Sequence, residues 1–363
     1  MKKIKLVLVV AIVVSLTLAT ACGGNNSTSS VPPAQASDSA GGEQAATSPP
    51  AASDETWTLK FATHSMDYDK IEGFPEWIFE ATGGRVTVEV YNLGDLGSAT
   101  DVLEMLRNGT IDIVGNSPPQ TPGEFPVLDT LQVPFMVTNP ELASAVLMAL
   151  KGAGYLEKEL SNKTAPLFLI PTDSQVMGFR TKKVESMNDF KGMKIRVTSG
   201  IATDMVEAFG ATVVAMPLPE VYNALDRGVI DGAASSPYMM VQNAMYEPLN
   251  YIMDTPTFNG SYIAIINGDL WDSFPEDIKA AFDEVTLKMQ EKCTKDAVKM
   301  YGDGLDVCAE NDVEVYKASE EFRNAMVESN AHIKQAFFDD LTKQGYDGAA
   351  IMKLVEDTVA NFH

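Results

Sequence analysis

From residue 57 onward, apolar and polar positions alternate in short β-type runs separated by helical spacings. TLKFAT (58–63) and RVTVEVY (85–91) predict strands. SATDVLEMLRNG (98–109) predicts a helix capped by Ser98 or Thr100 and stopped by Gly109, and TIDIVGN (110–116) predicts the next strand. A helical stretch follows over 140–160, then QVMGFRT (175–181) and GMKIRVT (192–198). In the last of these, Met193, Ile195 and Val197 alternate with Lys194 and Arg196, so Arg196 points away from the core face. Farther on, Ile278, Ala281, Phe282, Val285, Met289, Cys293, Ala297 and Met300 recur at helical spacing behind a capping box at SFPE (273–276). With Gly302 and Gly304 as the stop, this predicts a helix of about seven turns, ~40 Å at ~1.5 Å per residue. Such a helix is long enough to run across two lobes. A strand at DVEVYK (312–317) and two amphipathic helices, from Glu320 and from Gly348, complete the pattern.

The chain echoes itself. DVLEMLRNGTID (101–112) and EVYNALDRGVID (220–231) align without a gap, and the acid, Val, Leu, Gly, Ile and Asp positions coincide. Each is a short helix stopped by glycine and followed by a strand, and each strand ends in small polar residues: Asn116 and Ser117, then Ser235 and Ser236. Two similar units that deliver polar groups at strand ends predict an α/β protein of two lobes, a clam with its ligand between them, because ligands in such sheets bind at the carboxyl ends of the strands.

The first residues follow another logic. Lys2, Lys3 and Lys5 precede the apolar and small-residue run Leu6 to Leu18, and Thr20-Ala21-Cys22 follows. This reads as a lipoprotein signal peptide over 1–22 ending at the lipobox cysteine Cys22, although Ala19 stands where leucine would match better. Residues 23–54 are Gly, Asn, Ser, Pro, Ala and Gln with a few acids, which cannot bury enough apolar surface to fold and so predict a disordered tether. The expectation is an exported chain held by a lipid on Cys22 at the outer face of the cell membrane.

Composition then narrows the chemistry. The 363 residues carry a formal charge of −23. That excludes nucleic acid as the partner, since phosphate neutralisation needs clustered Lys and Arg. The three histidines, His64, His332 and His363, are scattered, and GxSxG, HExxH, CxxC, P-loop and GxGxxG patterns are absent. No catalytic group, metal site or cofactor is therefore expected. An exported hydrolase or lyase would have to use carboxylates such as Asp95 or Asp112, but Asp112 has its echo partner in Asp231, which favours a structural turn or cap for both. Cys293 falls on the long apolar stripe, which favours a buried free thiol over a disulfide with Cys308. His64 follows the first strand, where it lines a cleft or is a plain loop residue. Arg180 and Arg196 are the leads for holding a carboxylate, because the planar guanidinium fork binds one bidentately and stays charged when desolvated. A surface or inter-strand ion pair is the other reading of either.

Several blocks together resemble the substrate-binding subunit of TRAP transporters, the DctP family. TGGRVTVEVYNLGDLGS (82–98), LRNGTIDIV (106–114) and VPFM (133–136) are similar to family elements. The longest block, DFKGMKIRVTSG through AFGATVVAMPLPEVYNALDRGVIDGAASSP within 189–237, looks like the family's DLKGLKIRVP…EVYxALQxGVVDG segment. The other binding-protein reading is a lipoprotein feeding an ABC importer or a signalling receptor, and the KIRV, EVY and VIDG blocks oppose its ABC version. The resemblance implies a periplasmic-binding-protein-like class II-type clam with a long helix spanning both lobes. Lobe I would take 55–177 and lobe II 178–261, with 262–302 returning to lobe I and forming the spanning helix, and 303–363 completing lobe II. It implies a binder, not an enzyme, that passes a small carboxylate to small and large integral membrane subunits. It further implies Arg196 as the carboxylate grip, Arg180 as a second pocket arginine, and Ser235 or Ser236 as a polar contact. Asn116, Tyr238, Phe258 and Asn259 join His64 as further pocket candidates. Ala233-Ala234-Ser235-Ser236 departs from the bulkier residues of many relatives and leaves room for a larger ligand or for one held through water.

Overall fold

The computed structural model describes residues 55–160, 162–198 and 200–362, so the signal segment with Cys22 and the tether lie outside the described residues. The chain opens with β1 (Trp57–Thr63), α1 (Phe74–Ala81), β2 (Val86–Asn92), α2 (Ala99–Arg107), β3 (Ile113–Asn116), α3 (Pro140–Gly152), α4 (Glu157–Leu160) and β4 (Thr164–Pro171). It continues through β5 (Gln175–Phe179), β6 (Lys194–Val197), α5 (Ile201–Ala208), β7 (Thr212–Ala215), α6 (Leu218–Asp226), β8 (Gly232–Ser235), α7 (Pro237–Gln242) and β9 (Tyr251–Phe258). Then come β10 (Ser261–Asn267), α8 (Gly268–Ser273), α9 (Glu276–Glu310), β11 (Glu314–Tyr316), α10 (Glu320–Ser329), α11 (Ala331–Lys343) and α12 (Gly348–Asn361).

Two sheets result. One has the order β2-β1-β3-β10-β4, the other β11-β9-β5-β8-β6-β7. The central strands of each sheet are buried on both faces. Ile113 packs with Phe61, Phe168 and the start of α9, whereas Val114 packs with α2, α3 and α12 on the opposite face. In the second sheet Ile195 and Val197 face α5 and α10, while Val176 and Ala233 face α6 and α7. Strand β10, SYIAIIN, lies between β3 and β4 and is buried at every residue, which is why its sequence is a near-continuous apolar run. The chain passes between the lobes at 172–174, at 259–260, along α9 and again between α10 and α11. The fold is the expected two-lobed class II-type clam with a helix spanning both lobes.

The sequence echo is a structural one. Gly109 and Gly228 both have positive φ, +76° and +66°, and end α2 and α6 in the same two-bond motif. Thr110 N donates to Met105 O and Gly109 N to Leu106 O; Val229 N donates to Ala224 O and Gly228 N to Leu225 O. Asp112 and Asp231 then clip the neighbouring strand. Lys60 N donates to Asp112 Oδ2 and Lys194 N to Asp231 Oδ2, both at 2.8 Å, while the aspartate N–H groups return bonds to Lys60 O and Lys194 O. Both aspartates are strand clips.

Four expectations are corrected. The capping box at 273–276 does not form: Ser273 Oγ donates to Leu270 O at the end of α8, and α9 starts behind Pro275 with no side-chain cap. Helix α9 does not stop at Gly302 and Gly304 but runs 35 residues to Glu310, about 52 Å at ~1.5 Å per residue. Gly304 serves a close approach instead, since a Cβ there would stand 2.6 Å from main-chain atoms of Pro237 and Tyr238. The helical stretch 140–160 is two helices, and the tail after β11 is three. Finally, residues 303–363 do not all complete the second lobe. α10 does, through Phe322 and Met326, but Phe338 and Leu341 of α11 and Ile351 and Val355 of α12 join the first lobe's core beside α3. Cys293 and Cys308 are both buried free thiols on α9. Fifteen residues of helix separate them by ~22 Å, far beyond disulfide reach.

The two glycines of α9 differ in the space around them. A methyl group at Gly302 would meet nothing within 4 Å, whereas Gly304 has no room for one. Urea unfolding should therefore show G302A stabilised by about 0.5–1 kcal/mol through helix propensity and G304A destabilised by about 1–3 kcal/mol through overpacking. Equal effects would remove the close-approach role. A pH dependence is expected from Glu159, which accepts from Val127 N and leaves Oε2 buried without a partner. Burial pushes its carboxyl up to about 8, and burial pushes nearby Asp129 up to about 7. In this range the folded chain holds protons that the unfolded chain has lost. Their contribution is full below about pH 4.5 and falls away as pH rises through about 8. Unfolding free energies at pH 5 and pH 8 should differ less in Glu159→Gln than in the wild type; the same difference in both would exclude Glu159 as a source.

Candidate functional site

Parallel strands bring their carboxyl ends together, and here those ends bound a cavity of about 260 Å³ between the lobes. Ser117 follows β3, Val197 and Thr198 end β6, and Ala234 and Ser236 end β8. Asp67, Asp69 and Lys70 come from the 3-10 turn after β1, Thr172 and Asp173 from the crossover between lobes, and Asp296, Ala297 and Met300 from mid-α9. The wall is mixed, an apolar surface with a few convergent polar groups, as small-molecule sites are.

Of the residues expected at the site, Ser236, Tyr238 and Phe258 line this cavity. Ser236 caps α7, its Oγ accepting from Met239 N at 3.3 Å, and its hydroxyl lies near enough to Asp173 to pull that carboxyl's pKa down. Burial, and then the charge of Asp69, raises the Tyr238 hydroxyl above its ordinary value.

Others stand just behind the wall. Ser235 is buried beside Ser236. Asn116 is buried next to Ser117, its Nδ2 donating to Thr121 Oγ1 at 3.2 Å and its Oδ1 unpartnered. Asn259 staples the second crossover: its N–H donates to Leu131 O, and its Nδ2 donates to Ser174 Oγ at 3.2 Å. His64 caps the 3-10 turn through its carbonyl, which accepts from Asp67 N at 2.9 Å, and it is not part of the cavity wall.

Arg196 is the one buried arginine among the described residues, at 2% exposure. It pairs with Val214 on β7 and Ala233 on β8 in the sheet register. Nε and one terminal nitrogen donate to Met216 O at 3.1 and 2.9 Å, and the other terminal nitrogen reaches Ala234 O at 3.5 Å. No carboxylate among the described residues forms an ion pair with it. Burial lowers the guanidinium to about 10, so it stays charged at neutral pH. Its fork is turned behind the wall made by its neighbours Val197 and Ala234, which do face the cavity.

Arg180 is a correction. β5 runs antiparallel to β8, so its first residue, Gln175, faces the cavity and its last, Phe179, lies at the far edge. Arg180 follows Phe179, ~16 Å of strand from Gln175. Its N–H donates to Asp231 O at 2.8 Å and its guanidinium packs by Gly228, remote from the cavity.

The charged wall was not anticipated. Lys70 Nζ lies 3.0 Å from Asp67 and 3.7 Å from Asp69. Burial lowers its pKa, but those two acids and Asp173 outweigh burial and hold the ammonium above its ordinary value. Asp173 is pushed up to about 6, mainly by burial, against the Ser236 hydroxyl and Lys70. The available signal was positional: DYDK directly follows a strand, and PTDS sits between two buried apolar strands.

Known proteins share this fold. The model of the family described as bacterial extracellular solute-binding protein, family 7 (DctP) matches residues 60–340. The chain is 23% identical over 322 residues to the ectoine/5-hydroxyectoine-binding periplasmic protein UehA of Ruegeria pomeroyi, covering 85% of this chain and 92% of that one. It is 27% identical over 216 residues to the C4-dicarboxylate-binding periplasmic protein DctP of Rhodobacter capsulatus, 58% of this chain and 64% of that one. Its fold is similar to a TRAP periplasmic solute-binding protein of Desulfovibrio salexigens, with a TM-score of 0.78, 24% identity, and coverage of 84% of this chain and 96% of the other.

Proposed function

This chain belongs to the family 7 bacterial extracellular solute-binding proteins, and from that premise we propose that Arg196 is the group by which it grips its ligand. The protein is an extracytoplasmic solute-binding protein that delivers a small organic acid to a TRAP transporter. Relatives named for ectoine and for C4-dicarboxylates support an acid as the cargo. The observation that carries the role of Arg196 is a charged guanidinium, 2% exposed, with main-chain carbonyls in place of an acid.

The physical sequence is short. A carboxylate enters from the cavity, and Arg196 turns from Met216 O toward it, exchanging a neutral acceptor for a charged one. Each charge-assisted bond contributes about 1.5–3 kcal/mol. Closure about 172–174 and 259–260 then withdraws the pair from water, which strengthens it. Ser236 and Tyr238 add polar contacts from the same lobe. The role is binding without turnover, and Asp112, which with Asp95 is a candidate carboxylate for an enzyme, is occupied with its strand clip. We assign the handover partners as a small and a large integral membrane subunit, and the tether as a lipid on Cys22.

Two experiments test these assignments. With the full-length protein purified in detergent and freed of solute, a small carboxylate at about 100 times its Kd adds ~2.7 kcal/mol of stability. The melting temperature should rise with at least one of succinate, benzoate, pyruvate and 4-aminobutanoate in the wild type, not in Arg196→Ala, and only weakly in Arg196→Lys, which keeps charge but loses the fork. An equal rise in Arg196→Ala removes the arginine from the site. For the anchor, Cys22→Ser should move the exported protein from the membrane fraction to the soluble one; unchanged fractionation rejects lipidation at Cys22.

A further inference from the structure

The cavity holds more negative charge than an acid-binding site needs. Asp67, Asp69, Asp173 and Asp296 face it, against Lys70. Asp296 is matched by Lys292 at 2.7 Å. Lys70 is shared among the other three, and its closest contact is Asp67 Oδ1. Asp67 and Asp173 are 5% and 8% exposed, and the Oδ2 atom of each is buried without a hydrogen-bond partner. Buried carboxylate oxygens without a partner, on residues that line a cavity, are costly, and the cost falls when a donor arrives. Asp173 titrates at about 6, so it is ionised at neutral pH in spite of its burial.

We propose that the ligand is a zwitterion, an acid whose second group is a cationic nitrogen that Asp67 and Asp173 accept while Arg196 takes the carboxylate. The inference rests on the reading of Arg196 given above. A second carboxylate would meet the surplus acids, and like charges in a dry site repel strongly. A bare metal cation fits less well, because among the described residues no three acidic, histidine or cysteine side chains are placed to hold one. A nitrogen donor needs only directed acceptors, and the two free oxygens supply them. They also come from different places, Asp67 from the first lobe and Asp173 from the crossover, so a cation between them contacts the pivot of closure.

The test uses matched probes on the full-length, solute-free protein by calorimetry. 4-Aminobutanoate, pentanoate and glutarate differ mainly at the far end, and proline is compared with cyclopentanecarboxylate. At least one zwitterion should bind tenfold or more tightly than its uncharged or dianionic counterpart. That preference should collapse in Asp173→Asn and in Asp67→Asn, each checked for an unchanged melting temperature without ligand. The zwitterion proposal is overturned if glutarate binds as well as 4-aminobutanoate, if the preference survives both substitutions, if no zwitterion binds, or if sodium chloride alone stabilises equally. Arg196→Ala separates the two readings. Lost binding of every acid there, with no preference for zwitterions in the wild type, keeps the clamp and rejects the zwitterion. A preserved preference with Arg196→Ala does the reverse.

Discussion

A guanidinium taken out of water without an acid beside it is among the costlier groups to bury, because main-chain carbonyls return only part of its hydration. Arg196 is held in that state by the second sheet, and much of that sheet's detail serves to hold it. Met216 O and Ala234 O, which receive its N–H groups, lie beyond β7 and within β8, the two neighbours of β6. The register that sets those carbonyls around it is fixed two residues earlier, where Asp231 grips both the N–H and the carbonyl of Lys194. A strand of four residues has few ladder bonds of its own, so this clip matters more than it would on a long strand. The placement of the charge thus depends on an aspartate that never touches the cavity.

The first lobe uses the same clip for a different end. Asp112 fixes β3 against β1 at Lys60, and the strand ends deliver Asn116 and Ser117 rather than a cation. Here the charge arrives from the turn after β1, as Asp67, Asp69 and Lys70. One repeated scaffold therefore carries opposite electrostatics in its two halves, with a lone guanidinium in one and an acidic turn in the other. A ligand between the halves is read by both.

What the sequence shows clearly is whatever repeats at short range. The alternation in GMKIRVT puts Arg196 opposite Ile195 and Val197, and the structure places it there. The gap-free echo of 101–112 and 220–231 marks two equivalent glycine-stopped units, down to the same pair of hydrogen bonds at Gly109 and Gly228. What it hides depends on strand direction and tertiary contact. Arg180 looks like a pocket residue until β5 is known to run antiparallel to β8, which sends it to the far edge. Gly304 looks like a helix stop until α7 is known to press on it. The amphipathic face of α12 gives no hint that its partner is α3, about 200 residues earlier. Asp67 and Asp173 are ordinary loop acids in sequence, and they gain meaning only when two crossovers and a turn converge.

The crossovers explain why the convergence is durable. Thr257 Oγ1 donates to Gln175 O, Asn259 Nδ2 to Ser174 Oγ, and Ser174 Oγ to Thr138 O, so the two crossing segments are laced to each other and to the first lobe. A pivot built this way holds its own position while the lobes swing about it. Asp173 sits inside that lacing with one oxygen uncommitted, and its Ser236 contact reaches the helix that caps the second lobe's strand ends. Any group that engages Asp173 is therefore bound beside the laced crossing segments. Arg196 lies in the other lobe, whose sheet is joined to the first lobe through these crossovers, α9 and the turn between α10 and α11. A ligand anchored at both would convert its own length into the closing distance, so its size and its two charges would be selected by a single geometric requirement.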